Sequence, residues 1–385
     1  MGIYDELGVR TFINAGGWMF TRYGGSIMRE EVVAAMAAAA KGFVNLYELQ
    51  ERVGRAIAGM TGNEAAYVSC GAASGILLAV ATCIAGRDEA LAERLPASEG
   101  MKNEVVMWRS ERGTEADAAV RAAGGRIVEV GRMEGTTEAE LARGLGERTA
   151  AVLLLANERR AGVSVERVVT LARERRVKVI VDGAGAVPPR ENLWRYTREW
   201  GCDAFVTSGG KGIRGPQSTG LVLGTRDMVE GCAFHGSPNL RIGRAMKVGK
   251  EELAGIYMAV KLFVAEDPAH RAAASARAVA HLVGSLQGIP DITLSVSRDG
   301  TEVVVELVAA RLGTGEALEQ ALMAGEPAVL VKVRDNRMVL RGELLQPGEE
   351  QVVAERLRRV LMEGAWGRWG LGGGAAGGMI AGVDP

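Results

Sequence analysis

Between Leu46 and Gly224 short, almost continuous apolar runs alternate with longer stretches in which apolar residues recur every three or four positions. The short runs, 65–69, 104–109, 126–130, 150–155, 178–181, 204–207 and 219–223, predict strands, and the longer ones, including 74–84, 115–123, 137–145 and 164–175, predict helices. Strand and helix in strict alternation imply a parallel sheet with crossover helices on both faces. The last two strands are joined too closely for a crossover helix and are expected to be antiparallel. The expected fold class is therefore α/β, with a seven-stranded, mostly parallel sheet.

After Met246-Lys247-Val248-Gly249-Lys250 the texture changes. A long helix over 251–264 and an alanine-rich helix precede strand-like runs at 292–296, 302–308, 328–333 and 337–341 and a terminal helix over 348–362. These predict a small α+β domain over 250–365, after a large domain over 31–249. Residues 1–30 form an irregular segment that lines an active-site mouth or joins the small domain, and 366–385 a flexible glycine-rich tail. Gly372-Gly373-Gly374-Ala375-Ala376-Gly377 matches the spacing of a dinucleotide fingerprint, but it follows no strand and opens no helix.

With 385 residues, 48% of them hydrophobic, the chain can bury a large core. The 46 basic and 47 acidic residues are spread evenly, which disfavours nucleic acid or an anionic membrane as partner. Cys70, Cys83, Cys202 and Cys232 have neither metal-ligand nor redox spacing and read as reduced thiols of a cytoplasmic protein. The start Met1-Gly2-Ile3-Tyr4 has no targeting character, and no apolar run is long enough for a membrane span. Three histidines leave little material for a metal site or a histidine triad. His270 and His281 read as helix-surface residues, and His235 sits in a loop where an active-site role stays open.

Chemistry concentrates at two expected strand ends. Thr207-Ser208-Gly209-Gly210-Lys211-Gly212 sets a lysine in a glycine-walled turn, and Val181-Asp182-Gly183-Ala184 ends a strand on a carboxylate. Such sheets bind ligands at the carboxyl ends of their strands. A lysine there can condense with an aldehyde and a carboxylate can hold a protonated ring nitrogen, a pairing that reads as pyridoxal phosphate chemistry. Ser69-Cys70-Gly71-Ala72-Ala73-Ser74-Gly75, between a strand and a helix, can close backbone N–H groups on a phosphate. Taken singly, Asp182 also reads as a turn carboxylate, Lys211 as a solvated lysine and the 69–75 segment as an ordinary turn. A P-loop is disfavoured because Gly212 stands where a magnesium-binding Ser or Thr belongs.

In order along the chain, Ile13-Asn14-Ala15-Gly16-Gly17, Tyr23-Gly24-Gly25-Ser26, Ser69 to Ile76, Val181 to Pro189, Ser208 to Ser218 and Ile242 to Glu252 resemble the fold type I pyridoxal phosphate enzymes related to bacterial selenocysteine synthase. Within them the likeness is to the D-glucosaminate-6-phosphate ammonia-lyase-like branch, up to about residue 365. The resemblance implies the aminotransferase-like fold, pyridoxal 5'-phosphate joined to Lys211, and Asp182 at the ring nitrogen. It further implies phosphate contacts from Gly71, Ala72, Ser74 and Ser208, and a homo-oligomer built from dimers. Arg214, Gln217 and Arg244 resemble positions near the substrate or across the dimer interface, Arg112 is a candidate to hold its carboxylate or phosphate, and Asn14, Arg22 and Ser26 are candidates from the N-terminal segment. Two departures stand out. Glu111, in Trp108-Arg109-Ser110-Glu111-Arg112-Gly113, stands where a histidine would cover the cofactor, and Gly183, Gly185 and Ala186 replace a bulkier run.

The leading expectation is a lyase that removes an α-proton and a β-hydroxyl from an amino acid or amino-sugar acid, such as D-glucosaminate 6-phosphate, giving a 2-oxo acid and ammonia. Selenium transfer to seryl-tRNA ranks lower because the motifs begin within the first fifteen residues, without a tRNA-binding extension. A racemase, aldolase or β-lyase of small amino acids shares the early steps. A non-catalytic pyridoxal-phosphate-binding protein is the alternative of another class.

Overall fold

The computed structural model describes residues 2–156, 162–308 and 314–363. Two units divide the chain, a larger one over 21–265 and a smaller one joining residues up to 20 with the chain from 266 onward. Strand β1 (Phe12–Asn14) belongs to the smaller unit. The next seven form the sheet of the larger unit: β2 (Ala65–Ser69), β3 (Glu104–Trp108), β4 (Arg126–Val130), β5 (Thr149–Leu155), β6 (Lys178–Asp182), β7 (Ala204–Ser208) and β8 (Gly220–Gly224).

Their order is β2-β8-β7-β6-β5-β3-β4. Only β8 is reversed, antiparallel to both β2 and β7, as the short connection from β7 predicts. The carboxyl ends of the other six therefore share one edge. Both faces of the sheet are covered, so its inner strands are apolar at nearly every position rather than at alternate ones. Val152 and Leu154 enter one core layer and Ala151 and Leu153 the other, all with zero exposure. Full burial of each leucine stabilises by roughly 1.5–3 kcal/mol, which fixes these runs in the sheet interior.

Helix Gly71–Ala85 follows β2 directly, and its apolar residues pack beneath the sheet. The helices after β4 and β5 begin where Thr137 and Ser164 accept hydrogen bonds from the N–H groups of Glu140 and Arg167. Helix Lys250–Ala265, expected to open the small domain at residue 250, belongs instead to the larger unit. Its stripe Leu253, Ile256, Val260 and Phe263 is buried in the same core layer as Val152, and the division falls after Ala265.

The smaller unit contains an antiparallel sheet of β9 (Ile292–Val296), β10 (Glu302–Leu307), β12 (Val333–Arg334) and β13 (Arg337–Arg341). A separate parallel pair joins β1 to β11 (Ala328–Leu330). Val303, Val305 and Leu340 of the sheet pack with Val279, Leu282, Val353 and Leu357 of the long helices Pro268–Leu286 and Glu349–Glu363. Of the N-terminal segment, residues up to Phe20 group with the smaller unit and Thr21 onward with the larger one. The tail expected over 366–385 lies outside the described residues.

Candidate active site

Asp182 is the last residue of β6, in register with Val206 of β7 and Leu155 of β5. Its Oδ1 accepts the N–H of Ala184 at 3.0 Å, the turn that follows from a carboxylate at a strand end. Burial pushes this carboxyl above its ordinary range; the Ala184 N–H and the charge of Lys211 pull it back, and Glu115 adds to the rise. An opposing cation and one backbone N–H thus offset part of what burial costs this carboxylate.

Lys211 follows β7 in a loop that the backbone ties shut. Gly209 N–H donates to Thr219 at 2.8 Å, Gly215 N–H to Gly209 at 2.8 Å and Arg214 N–H to Lys211 at 2.9 Å. Gly209 is pressed against the Thr219 side chain, Gly210 against the backbone of Gln217 and Gly212 against the Val187 carbonyl. These glycines are required by packing as close as a side chain would need, and the lysine projects from a turn that has little freedom.

The third feature is the start of helix Gly71–Ala85. Gly71 has φ +79°, the left-handed region that favours glycine, and open space where a Cβ would point. Cys70, at the cap position, makes no side-chain bond to the first-turn N–H groups. The Ser74 hydroxyl donates to the carbonyls of Cys70 and Gly71 at 2.6 and 2.9 Å, holding the turn's shape. An uncapped N-terminus of a fifteen-residue helix is an anion cradle by its dipole and its orphan donors. Across the sheet, Ser69 and Ser208 both lie in register with Gly220 of β8. They are about 10 Å apart, two strand spacings, and Asp182 is on the next strand over.

A residue that sequence reasoning passed over supports this cradle from behind. Gly220 lies so close to it that a Cβ would sit 2.6 Å from the Gly71 carbonyl oxygen and 2.7 Å from Ala72 N. Glycine at the start of an otherwise β-branched and leucine-rich run was the available signal. Glu115, the first residue of helix Glu115–Ala122, was also missed as a neighbour of Asp182, because an acid in a first helical turn reads as a dipole partner.

The remaining expected residues separate. Ser26, Arg214 and Gln217 cluster at the lysine loop: Ser26 Oγ donates to the Gly210 carbonyl at 3.0 Å, Arg214 Nε to the Ile27 carbonyl at 2.9 Å and Gln217 Nε2 to the Thr21 carbonyl at 2.7 Å. Arg22 is exposed, with its guanidinium 5.0 Å from the centre of the Tyr23 ring. Arg112 is committed elsewhere, paired with Asp117 at 2.9 Å and with Glu129. Arg244 is exposed in an open cavity of about 620 Å³ with Lys247, Phe43 and Pro238. Asn14 lies on β1 in the smaller unit, its Oδ1 buried without a hydrogen-bond partner. His235 is not in a loop at the site; it ends helix Arg226–His235, is fully buried, and contacts the Gly86 carbonyl through Nε2 at 2.8 Å. Gly86 caps the far end of the cradle helix, so burial places His235 away from the chemistry. Glu111 is likewise turned inward, 5% exposed, and accepts the Leu155 N–H at 2.8 Å.

Compared with known proteins, the chain is 32% identical to the D-glucosaminate-6-phosphate ammonia lyase of Salmonella typhimurium, over 93% of this chain and 97% of the relative. It is 31% identical to a 5'-C-glycyluridine monooxygenase-decarboxylase of a Streptomyces species, over 94% and 92%. A solved structure of D-glucosaminate-6-phosphate ammonia-lyase superposes with a TM-score of 0.83 at 29% identity, covering 94% of this chain and 99% of the other. The architecture is that of the fold type I pyridoxal phosphate enzymes. With residues 12–342 matched, the chain belongs to the SelA family, described as L-seryl-tRNA selenium transferase.

Proposed function

We propose that this chain is a pyridoxal-phosphate-dependent lyase that removes the α-proton and a β-hydroxyl from an amino acid or amino-sugar acid, phosphorylated ones included, releasing a 2-oxo acid and ammonia. The observation that carries the reading is the buried Asp182 carboxylate opposed by Lys211 at the carboxyl edge of the sheet, beside an uncapped helix N-terminus. The residues fit the cofactor: the Gly71 turn leaves space and orphan donors for a phosphate, and the Asp182 carboxyl, raised by burial and lowered by the charge of Lys211, is placed to accept from a protonated ring nitrogen.

Bound pyridoxal phosphate supplies an aldehyde that condenses with amines and a protonated ring that withdraws electrons from the substrate's α-carbon. Gly71, Ala72 and Ser74 would hold the phosphate end through the helix start, with Ser208 beside them, and Asp182 would keep the ring nitrogen protonated. Lys211 would hold the cofactor at rest, and its Nζ would take the substrate's α-proton and deliver a proton to the departing hydroxyl. Water lost there is regained when the released enamine hydrolyses to ammonia and the 2-oxo acid. Arg22 and Arg244, both exposed, are candidates for the substrate's anionic groups. Arg112 is not among them, since its guanidinium already serves two carboxylates.

The assembly is a homo-oligomer built from dimers, a reading supported by protruding Phe43, Val44, Tyr47 and Leu240, which are 52–106% exposed on the larger unit. A cytoplasmic location agrees with the absence of a disulfide among the described residues, where Cys70, Cys83, Cys202 and Cys232 all remain unbridged. Among the described residues no helix is long and apolar enough to cross a membrane. Incubation of the pyridoxal-phosphate-loaded protein with D-glucosaminate 6-phosphate, its unphosphorylated form and serine tests the reading. Equal ammonia and 2-oxo acid without dioxygen supports it, and neither product from any of them opposes it. Near-equal identity to the Streptomyces relative favours a second reading, oxidative decarboxylation. Dioxygen uptake with carbon dioxide release identifies that one.

A further inference from the structure

Residues 21–28 run as a strap along the loop that carries Lys211, and three side-chain hydrogen bonds fasten it. Ser26 Oγ donates to the Gly210 carbonyl at 3.0 Å, while from the loop Arg214 Nε and Gln217 Nε2 donate to the carbonyls of Ile27 and Thr21 at 2.9 and 2.7 Å. All three acceptors are backbone carbonyls. Gly25, at φ +76°, lies against the Gly210 carbonyl so closely that any Cβ would overlap it.

The Gly210 carbonyl belongs to the peptide plane immediately before Lys211. Fixing that plane fixes the direction in which the lysine leaves the backbone, because the loop beyond is already closed by the Arg214 N–H to Lys211 and the Gly215 N–H to Gly209. One donor of the Gln217 amide is committed to the Thr21 carbonyl, and carbonyl oxygens along the seam would repel a substrate carboxylate. We infer that Ser26 and Gln217 are positioning residues for Lys211, acting through the strap, and are not substrate ligands. The inference rests on the role proposed above for Lys211.

The test uses the full-length protein loaded with pyridoxal phosphate and the variants Ser26→Ala, Ser26→Thr and Gln217→Ala. Gln217 is exposed, so its truncation leaves the fold intact even if Ser26→Ala does not fold. Loss of one neutral hydrogen bond predicts a fall in kcat of about 3- to 10-fold, with KM within about 2-fold. The pH midpoint of the Lys211-dependent absorbance band is expected to move and cofactor release to quicken, with Ser26→Thr restoring the parental values. A tenfold rise in KM at unchanged kcat and unchanged band would make these residues substrate contacts and overturn the inference, as would variants identical to the parent. If the parent itself has no Lys211-dependent band, the role of Lys211 has failed instead, and that is seen before any variant is compared.

Discussion

Gly220→Ala probes the anion cradle from behind, without replacing any residue proposed to meet the cofactor. In a strand with ordinary backbone angles, alanine in place of glycine would stabilise by roughly 0.5–1 kcal/mol. Here the new Cβ would lie 2.6 Å from the Gly71 carbonyl oxygen, about 0.8 Å short of the 3.4 Å at which ordinary contact begins. The neighbours are backbone atoms of the turn, which yield only by moving together. Overpacking of this kind costs about 1–3 kcal/mol and outweighs the entropic gain. If the strain falls on the geometry that binds phosphate, pyridoxal phosphate affinity drops roughly 5- to 150-fold, at 1.4 kcal/mol per factor of ten. The assay is a titration of the cofactor-free protein with pyridoxal phosphate, followed by absorbance, with melting curves in parallel. Gly185→Ala is the control: no atom lies within 4 Å of its added Cβ, so stability stays within about 0.5 kcal/mol of the parent. A folded Gly220→Ala protein that binds pyridoxal phosphate as the parent does would refute the assignment of the Gly71 turn as the phosphate site.

Asp182→Asn separates stability from binding. A carboxyl raised by burial opposes folding at pH above the raised value, and that penalty is absent below the ordinary carboxylate range. The cofactor-free variant should therefore melt higher than the parent at about pH 7, the difference fading towards about pH 4, while its pyridoxal phosphate affinity falls; a lower melting temperature at neutral pH would contradict this. Arg112→Ala breaks a pair whose side chains are 16% and 11% exposed. It should lose about 3 kcal/mol in denaturant titrations with KM within 2-fold, since Arg112 serves structure; a large rise in KM at intact stability would return it to the substrate. Glu111→Ala removes the acceptor of the Leu155 N–H and should cost about 1–3 kcal/mol, with Glu111→Gln close to the parent by the same titration.

Much of this was legible in the sequence where local chemistry decides. The inner sheet strands were readable because two-sided burial makes them nearly unbroken apolar runs, unlike the edge strand β4 with its exposed Glu129, and the helices after β4 and β5 because Thr137 and Ser164 announce their starts. That Asp182 ends a strand and Lys211 closely follows one was readable because an apolar run stops at each. What failed depended on distant partners. Whether helix Lys250–Ala265 joins one unit or the other is settled by which core accepts its apolar stripe, not by the change of texture before it. His235 read as loop because Gly236, Ser237 and Pro238 follow it, yet the helix continues to His235 and buries it. Glu111 read as a substitute for a ring because its acceptor role lies with a backbone N–H forty-four residues on.

The most direct test of the account is the absorption spectrum of the purified protein with pyridoxal phosphate, before and after borohydride, for the parent and Lys211→Ala. The account predicts a near-visible band in the parent alone, which reduction fixes covalently to the peptide containing Lys211. A band that persists in Lys211→Ala, or none in the parent, would contradict the assignment of Lys211 and the mechanism built on it.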